Sequence, residues 1–294
     1  MSSRSSNMLS PKFPYSQNGF AARHGSMLDY SRGGDEPQLL DNFPNAAAAY
    51  SLRKIKAGVT SVVRVRRSSD NAEQDFTADD ITGGALAAFC GAGDGFATTW
   101  YDQSGNGMNV TQAVAGTQPQ IVSSGTVVTF GGLPALDTYN AGSLHFDGLD
   151  LTAESYTDAT GLCVYQLDGN TNASVWNLAS GAASSQLHPF SSNGYYYCNF
   201  FATTRPGLFD NTFNGPDYYL FWIQNLAGSM TAYTNNTIAG SAAVTFGMPA
   251  NISQIPSPGN AVQGTVQEVI VWGEDKSADR GAIQSDINAY YSIY

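Results

Sequence analysis

The sequence is poor in charge, in cysteine and in long apolar runs, and each shortage removes a class of function. Only 13% of its 294 residues are charged, with 13 Lys and Arg against 24 Asp and Glu, for a net charge of −11. Nucleic acids and anionic membranes are gripped by clustered Lys and Arg, so neither is expected as a partner. The basic cluster Arg64, Arg66 and Arg67 is followed at once by Asp70, Glu73 and Asp75. It is expected to be a strand face with its own ion partners. Three cysteines, Cys90, Cys163 and Cys198, lie far apart. An odd number without C-x-x-C spacing gives neither a disulfide framework nor a zinc site. They are expected to be small core residues of a chain made in a reducing cytoplasm. The three histidines, His24, His145 and His188, support no Ser-His-Asp order and no nucleophile elbow. No apolar run approaches a membrane span. No apolar N-terminal core marks a signal peptide, so export by that route is not expected. Neither a cofactor nor a metal is expected.

What the chain does have is aromatic residues, at 12%, and 31 glycines, among many Ser, Thr and Asn. That mixture suits an all-β surface. Residues 1–40 stand apart, rich in Ser, Gly, Pro and Arg and without helical or strand period. They carry single apolar residues, among them Phe13, Tyr15, Phe20 and Tyr30. The segment is therefore read as an extended arm that orders against something else, and residues 41–294 as one β-sandwich.

Within the sandwich, Val59–Arg67 alternates as a half-buried strand does, and Ala85–Phe89 suits a short helix. The alanine run ending at Tyr50 is ambiguous between helical turn and strand. Turn signals at short intervals then separate candidate strands over residues 96–101, 120–122, 127–130, 143–146, 161–167, 173–178, 195–201, 218–225, 230–234 and 265–272. Asn235-Asn236 reads as a hairpin turn. TVQEVIVW, residues 265–272, is the most apolar strand and should be central. Ser277 is expected to cap a C-terminal helix whose Ile283, Ile287 and Tyr290 share one face.

The chain is organised around residues 98–112, TTWYDQSGNGMNVTQ. A β-branched and aromatic strand breaks sharply at Asp102, Ser104, Gly105, Asn106 and Gly107. Asp, Ser and Asn bond their own backbone nearby, and the glycines tolerate positive φ. Asp102, Ser104 and Asn106 alternate like the first half of a calcium loop, but the twelfth position is Ala113 rather than a bidentate Glu. A sugar contact is a second reading. The favoured one is a rigid structural connection.

WYDQSGNG, with Asn109 and Thr111-Gln112, resembles a segment of the catalytic domain of fungal α-L-arabinofuranosidase B. It is also similar to the D-x-SG-x-G loop of laminin-G/concanavalin-like domains. The block Ala46–Phe76 resembles one that recurs with this loop in proteins of marine bacteriophages. The resemblance implies a concanavalin-like jelly-roll sandwich with an extended N-terminal arm and a short C-terminal helix. It does not carry the arabinofuranosidase's chemistry across. The chain has no Glu between Glu154 and Glu268, where the family's nucleophile belongs, and the family's acid Asp is matched by Ser257. The family's adjacent cysteine pair is also missing. No catalytic residue is assigned.

Aromatics crowd residues 195–222, and strand neighbours point to opposite faces. The outward half is expected to stack on glycans or to form an interface, with Tyr196, Phe213, Tyr218 and Trp222 as the candidate glycan contacts. The expected function is thus a non-enzymatic virion component of a bacteriophage, a fibre, spike or capsid decoration on the virion surface, possessing affinity for host cell-surface glycans. The alternatives are an α-L-arabinofuranosidase-type hydrolase and a free lectin. Residues 1–40 are expected to bind other virion proteins, and the fibre and spike resemblance implies a homotrimer. Mass measurement should therefore show a trimer, and a stable monomer both in solution and in the particle would refute it.

Overall fold

The computed structural model of the chain describes residues 37–138, 144–167, 188–190, 195–198, 200–204, 206–209, 217–249, 253–255 and 264–294. The arm over residues 1–36, the strand expected at 173–178, Ser257 and Phe213 lie outside them. So do the side chains of residues 195–197, Tyr196 included.

The fold is an all-β sandwich with a short C-terminal helix. Its long strands lie in the order Thr237–Ala243, Ser229–Thr234, Asp217–Leu226, Asp158–Leu167 and Gly264–Trp272, all antiparallel. The far edge of Gly264–Trp272 is shared by Ala46–Ser51 and Leu136–Asp137. From there the ladder runs on through Gln120–Ser123, Gly95–Trp100, Val110–Thr111, Phe146–Leu149 and Ser253–Ile255. Val63–Arg67 pairs with Gly95–Trp100 and, on its other side, with Glu73–Phe76. This second set supplies Val65, Ala97, Trp100 and Ile121 to a core shared with Cys163, Tyr165, Phe221 and Val269 of the first.

The two-residue period then explains why the long sheet is apolar on both sides. Val269 and Val271 face the opposing strands. Ile270 and Trp272 face the other way, into a second core closed by Ile283, Ile287 and Tyr291 of the helix Arg280–Tyr291. Every residue of Gly264–Trp272 is buried, as its sequence indicates. The alanine run is a strand, Ala46–Ser51, also buried throughout. Small side chains suit a strand pressed between two cores.

Local signals act as their chemistry dictates. Asn235 and Asn236 take φ values of 45° and 63°, so both central residues of the hairpin turn are left-handed. The C-terminal helix begins at Arg280 with Asp279 rather than Ser277 at its N-cap, and the Ser277 N–H bonds Asp275 Oδ1 at 2.7 Å. Its third buried contact is Tyr291, while Tyr290 is half-buried and stacks on the Arg53 guanidinium at 4.7 Å. Arg64 pairs with Asp75 and Arg67 with Asp70, whereas Arg66 bonds Gln118 and Asn71. All three cysteines are buried and form no disulfide. The boundary expected at residue 40 falls inside a helical turn, Leu39–Asn42. Leu39 and Leu40 are 2% and 3% exposed and belong to the second core, so the folded part begins before residue 40.

An acid stands inside that second layer. Glu268 is fully buried on the face turned to the helix. Its carboxylate accepts from Ser51 Oγ at 2.8 Å, from Arg53 Nε at 2.8 Å and from the Tyr291 hydroxyl at 3.1 Å. Arg53 reaches on to Asp286 of the helix at 3.1 Å. Burial works against the Arg53 charge, but Glu268 beside it more than offsets this and raises its pKa above the ordinary arginine value. Removing one partner of a buried pair leaves the other charge uncompensated. Arg53→Met should therefore destabilise the fold by about 3–5 kcal/mol, and Arg53→Met with Glu268→Met should recover much of that loss. Urea unfolding of both variants checks this; an Arg53→Met midpoint equal to the parent's would show that the pair contributes nothing.

Candidate functional site

The Tyr101–Val110 loop is built to close a strand edge. Ala46–Ser51 pairs with Gly264–Trp272 along one side only. On its other side the bonds come largely from the loop. Asp102 Oδ1 accepts the Ala49 N–H at 2.9 Å, and Asn106 Nδ2 donates to the Ala46 and Ala47 carbonyls at 3.0 Å each. The Gln103 N–H donates to Ala49 O at 2.7 Å. Its side chain accepts from Ile55 N and donates to Ser51 O and Arg53 O, all within 2.9–3.0 Å. Asp102 also accepts from Ser104 N, Ser104 Oγ and Met108 N at 2.9, 2.7 and 3.1 Å. Gly105 and Gly107 take φ values of 98° and 75°, which a side chain would resist. Trp100 anchors the entry, buried against Tyr50 and Phe146 with ring centres 5.6 and 5.9 Å away.

Over this loop opens a pocket of about 580 Å³. Its walls are the loop segment 104–106, residues 44–47, Lys56, Tyr156 and the Gly273-Glu274 step at the end of the central strand. The Tyr156 ring lies on Gly273 so closely that a Cβ there would stand 2.2 Å from it. Burial, then the charge and hydrogen bond of Glu154, push the Tyr156 hydroxyl up to about 12. Lys56 donates to the Ser104 carbonyl. Glu274 is ion-paired with Lys276 at 2.8 Å. A half-buried aromatic ring, two asparagines, an ammonium and a carboxylate thus meet in one concavity. That set can stack on a ring and bond hydroxyls or a charge.

Two of the expected glycan contacts, Trp222 and Tyr218, do not line this pocket. Trp222 is 0% exposed, packed on Trp272 with ring centres 6.3 Å apart, and its indole N–H bonds Gln224. Tyr218 is 8% exposed, between Phe130 and Tyr291. Their alternation is as expected, but the outward face of their strand is covered by the C-terminal helix, so neither presents a ring to a ligand. Tyr196 lies in the short strand Tyr195–Tyr197, opposite Pro189 and Leu208. The pocket residues Asn45, Lys56, Tyr156 and Glu274 carry no motif. They come from four separate segments, and only the fold brings them together. A second polar group, Gln112, His145, Asp147 and Gln254, is spent on its own hydrogen bonds. Among the described residues no cluster of three His, Cys, Asp or Glu could hold a metal.

No protein-family model matches the chain, and no curated protein sequence does. Solved structures do match in fold. An arabinofuranosidase complexed with arabinofuranosyl-α-1,2-xylobiose superposes with a TM-score of 0.57 at 18% identity, over 83% of this chain and 62% of that one. A GH54 α-L-arabinofuranosidase soaked with a cyclic sulfate inhibitor gives 0.55, with the same identity and coverage. A Trypanosoma rangeli sialidase in complex with sialic acid gives 0.44 at 11% identity, over 80% of this chain and 33% of that one. This chain thus spans less than two thirds of the arabinofuranosidases it resembles, and at 18% identity the likeness is one of fold.

Because Asp102 is saturated by backbone and hydroxyl donors, it has nothing left for a metal. Asp102→Ala should cost at least about 1.5–3 kcal/mol, the worth of a hydrogen bond to a charged group, in chemical denaturation. Calcium should leave the melting temperature unchanged; a calcium-dependent rise would make the loop a metal site.

Proposed function

We propose that the chain is a non-catalytic, glycan-binding sandwich that serves a bacteriophage particle as a fibre, spike or capsid decoration. The observation that carries the binding part is the pocket beside the Tyr101–Val110 loop. A Tyr156 ring face, polar groups of Asn45 and Asn106, and two opposite charges fit a sugar, whose ring has both C–H faces and hydroxyls. Support for the non-catalytic part comes from the acids. Retaining hydrolysis needs two carboxyl groups about 5–5.5 Å apart, and among the described residues Glu274 is the one acid in the pocket lining. That acid is held in an ion pair with Lys276 at 2.8 Å. The particle context rests on the resemblance of Ala46–Phe76 and WYDQSGNG to phage proteins. A homotrimer and attachment to other virion proteins through residues 1–40 belong to the same proposal.

A hydrolase of the arabinofuranosidase type is the second reading, favoured by the shared fold. The two separate cleanly. Tyr156→Ala should weaken oligosaccharide binding by about tenfold, a stacking contact's worth of roughly 1.4 kcal/mol, without loss of fold. The parent should release no arabinose from an aryl arabinofuranoside. Release that Glu274→Gln abolishes would establish the hydrolase instead.

A further inference from the structure

We infer that the pocket takes a carboxylated sugar, a uronic or sialic acid residue, with its carboxylate on the Lys56 ammonium. The inference rests on the glycan-binding reading of this pocket. The reason is where charge is left over. Arg53, Arg64, Arg67 and Lys276 each pair with a carboxylate. Among the described residues Lys56 forms no ion pair, although it lines the pocket. Its ammonium is also held in place. It donates one hydrogen bond to the Ser104 carbonyl and lies over Gly105, where a Cβ would stand 2.9 Å from Nζ. An ammonium has three donors, so two face away from that carbonyl.

The acids nearby are committed elsewhere, Glu154 among them through its hydrogen bond with the Tyr156 hydroxyl. Glu274 is neutralised by Lys276 at 2.8 Å. Asp102 is saturated beneath the loop by the Ala49, Ser104 and Met108 donors. Asp41 accepts from Ala57 N at 3.0 Å and Gln38 N at 2.8 Å. Of the described cations without a carboxylate partner, Lys54, Lys56, Arg66 and Arg280, Lys56 is the one that lines the pocket. Closing a neutral sugar over it would strip water from the charge without replacing it. A carboxylate replaces that water with a charge-assisted bond. Tyr156, pressed on Gly273, offers its ring to the sugar beside that carboxylate.

The test is calorimetry on the full chain at low salt, with trigalacturonate, sialyllactose and their neutral counterparts galactotriose and lactose. At least one acidic probe should bind about tenfold more tightly than its neutral counterpart, and added salt should erode the difference. The acid that responds identifies the sugar class. Lys56→Met should abolish the preference and Lys56→Arg should keep it. Glu274→Gln, which removes negative charge without touching Lys56, should tighten binding of the acidic probe. Equal binding of acidic and neutral probes overturns this inference and leaves the glycan-binding reading standing. Binding of none of the four overturns both.

Discussion

The fold depends on closing one edge of one strand. Ala46–Ser51 is buried throughout, yet it has a strand neighbour on one side only. Its outer carbonyls and N–H groups would be orphaned in a water-poor interior, at a cost comparable to a lost hydrogen bond for each. Side chains of Asp102, Gln103 and Asn106 stand in for the missing strand. A second β-strand would have covered the same bonds but filled the space above them. The compact loop covers them and leaves a hollow. The pocket is therefore a by-product of how the edge is closed: its floor is the loop, and its far wall is the end of the central strand.

The same strand economy explains the second layer. Gly264–Trp272 is buried on both faces and is apolar apart from Thr265, Gln267 and Glu268. Glu268 is its one charged residue. It is accommodated because Ser51, Arg53 and Tyr291 converge on it from a strand, a loop and a helix. Arg53 continues to Asp286, so one buried charge ties the C-terminal helix to the sheet. Ser51 belongs to the strand whose edge the loop closes, so the two networks meet there.

Much of this architecture was legible in the sequence. Period-two alternation and turn residues located most strands, the Asn235-Asn236 turn and the central place of TVQEVIVW. The loop's structural role followed from Asp, Ser and Asn chemistry alone. What alternation could not tell was how many faces of a sheet are covered. It assigned Trp222 and Tyr218 to the face away from the main core, correctly, and left that face open to ligand. The covering helix, with Tyr291 rather than Tyr290 inward, comes from residues far along the chain. The alanine run was ambiguous for a related reason: Ala is a strong helix former by local preference, and tertiary pairing with Gly264–Trp272 overrides it.

The candidate site was less legible still, and physics gives the reason. A structural loop must be self-consistent locally, so its residues lie close in sequence and form a readable motif. A binding pocket needs only that its groups converge in space. Asn45, Lys56, Tyr156 and Glu274 obey no spacing, and each alone reads as an ordinary surface residue. The motif and the pocket are nonetheless coupled. The groups that make the motif recognisable, Asp102 and Asn106, are held by the strand edge, which is why they are unsuited to a metal. The groups left over around them, Lys56 above all, line the pocket. In this chain the conspicuous residues build the scaffold, and the inconspicuous ones line the hollow beside it.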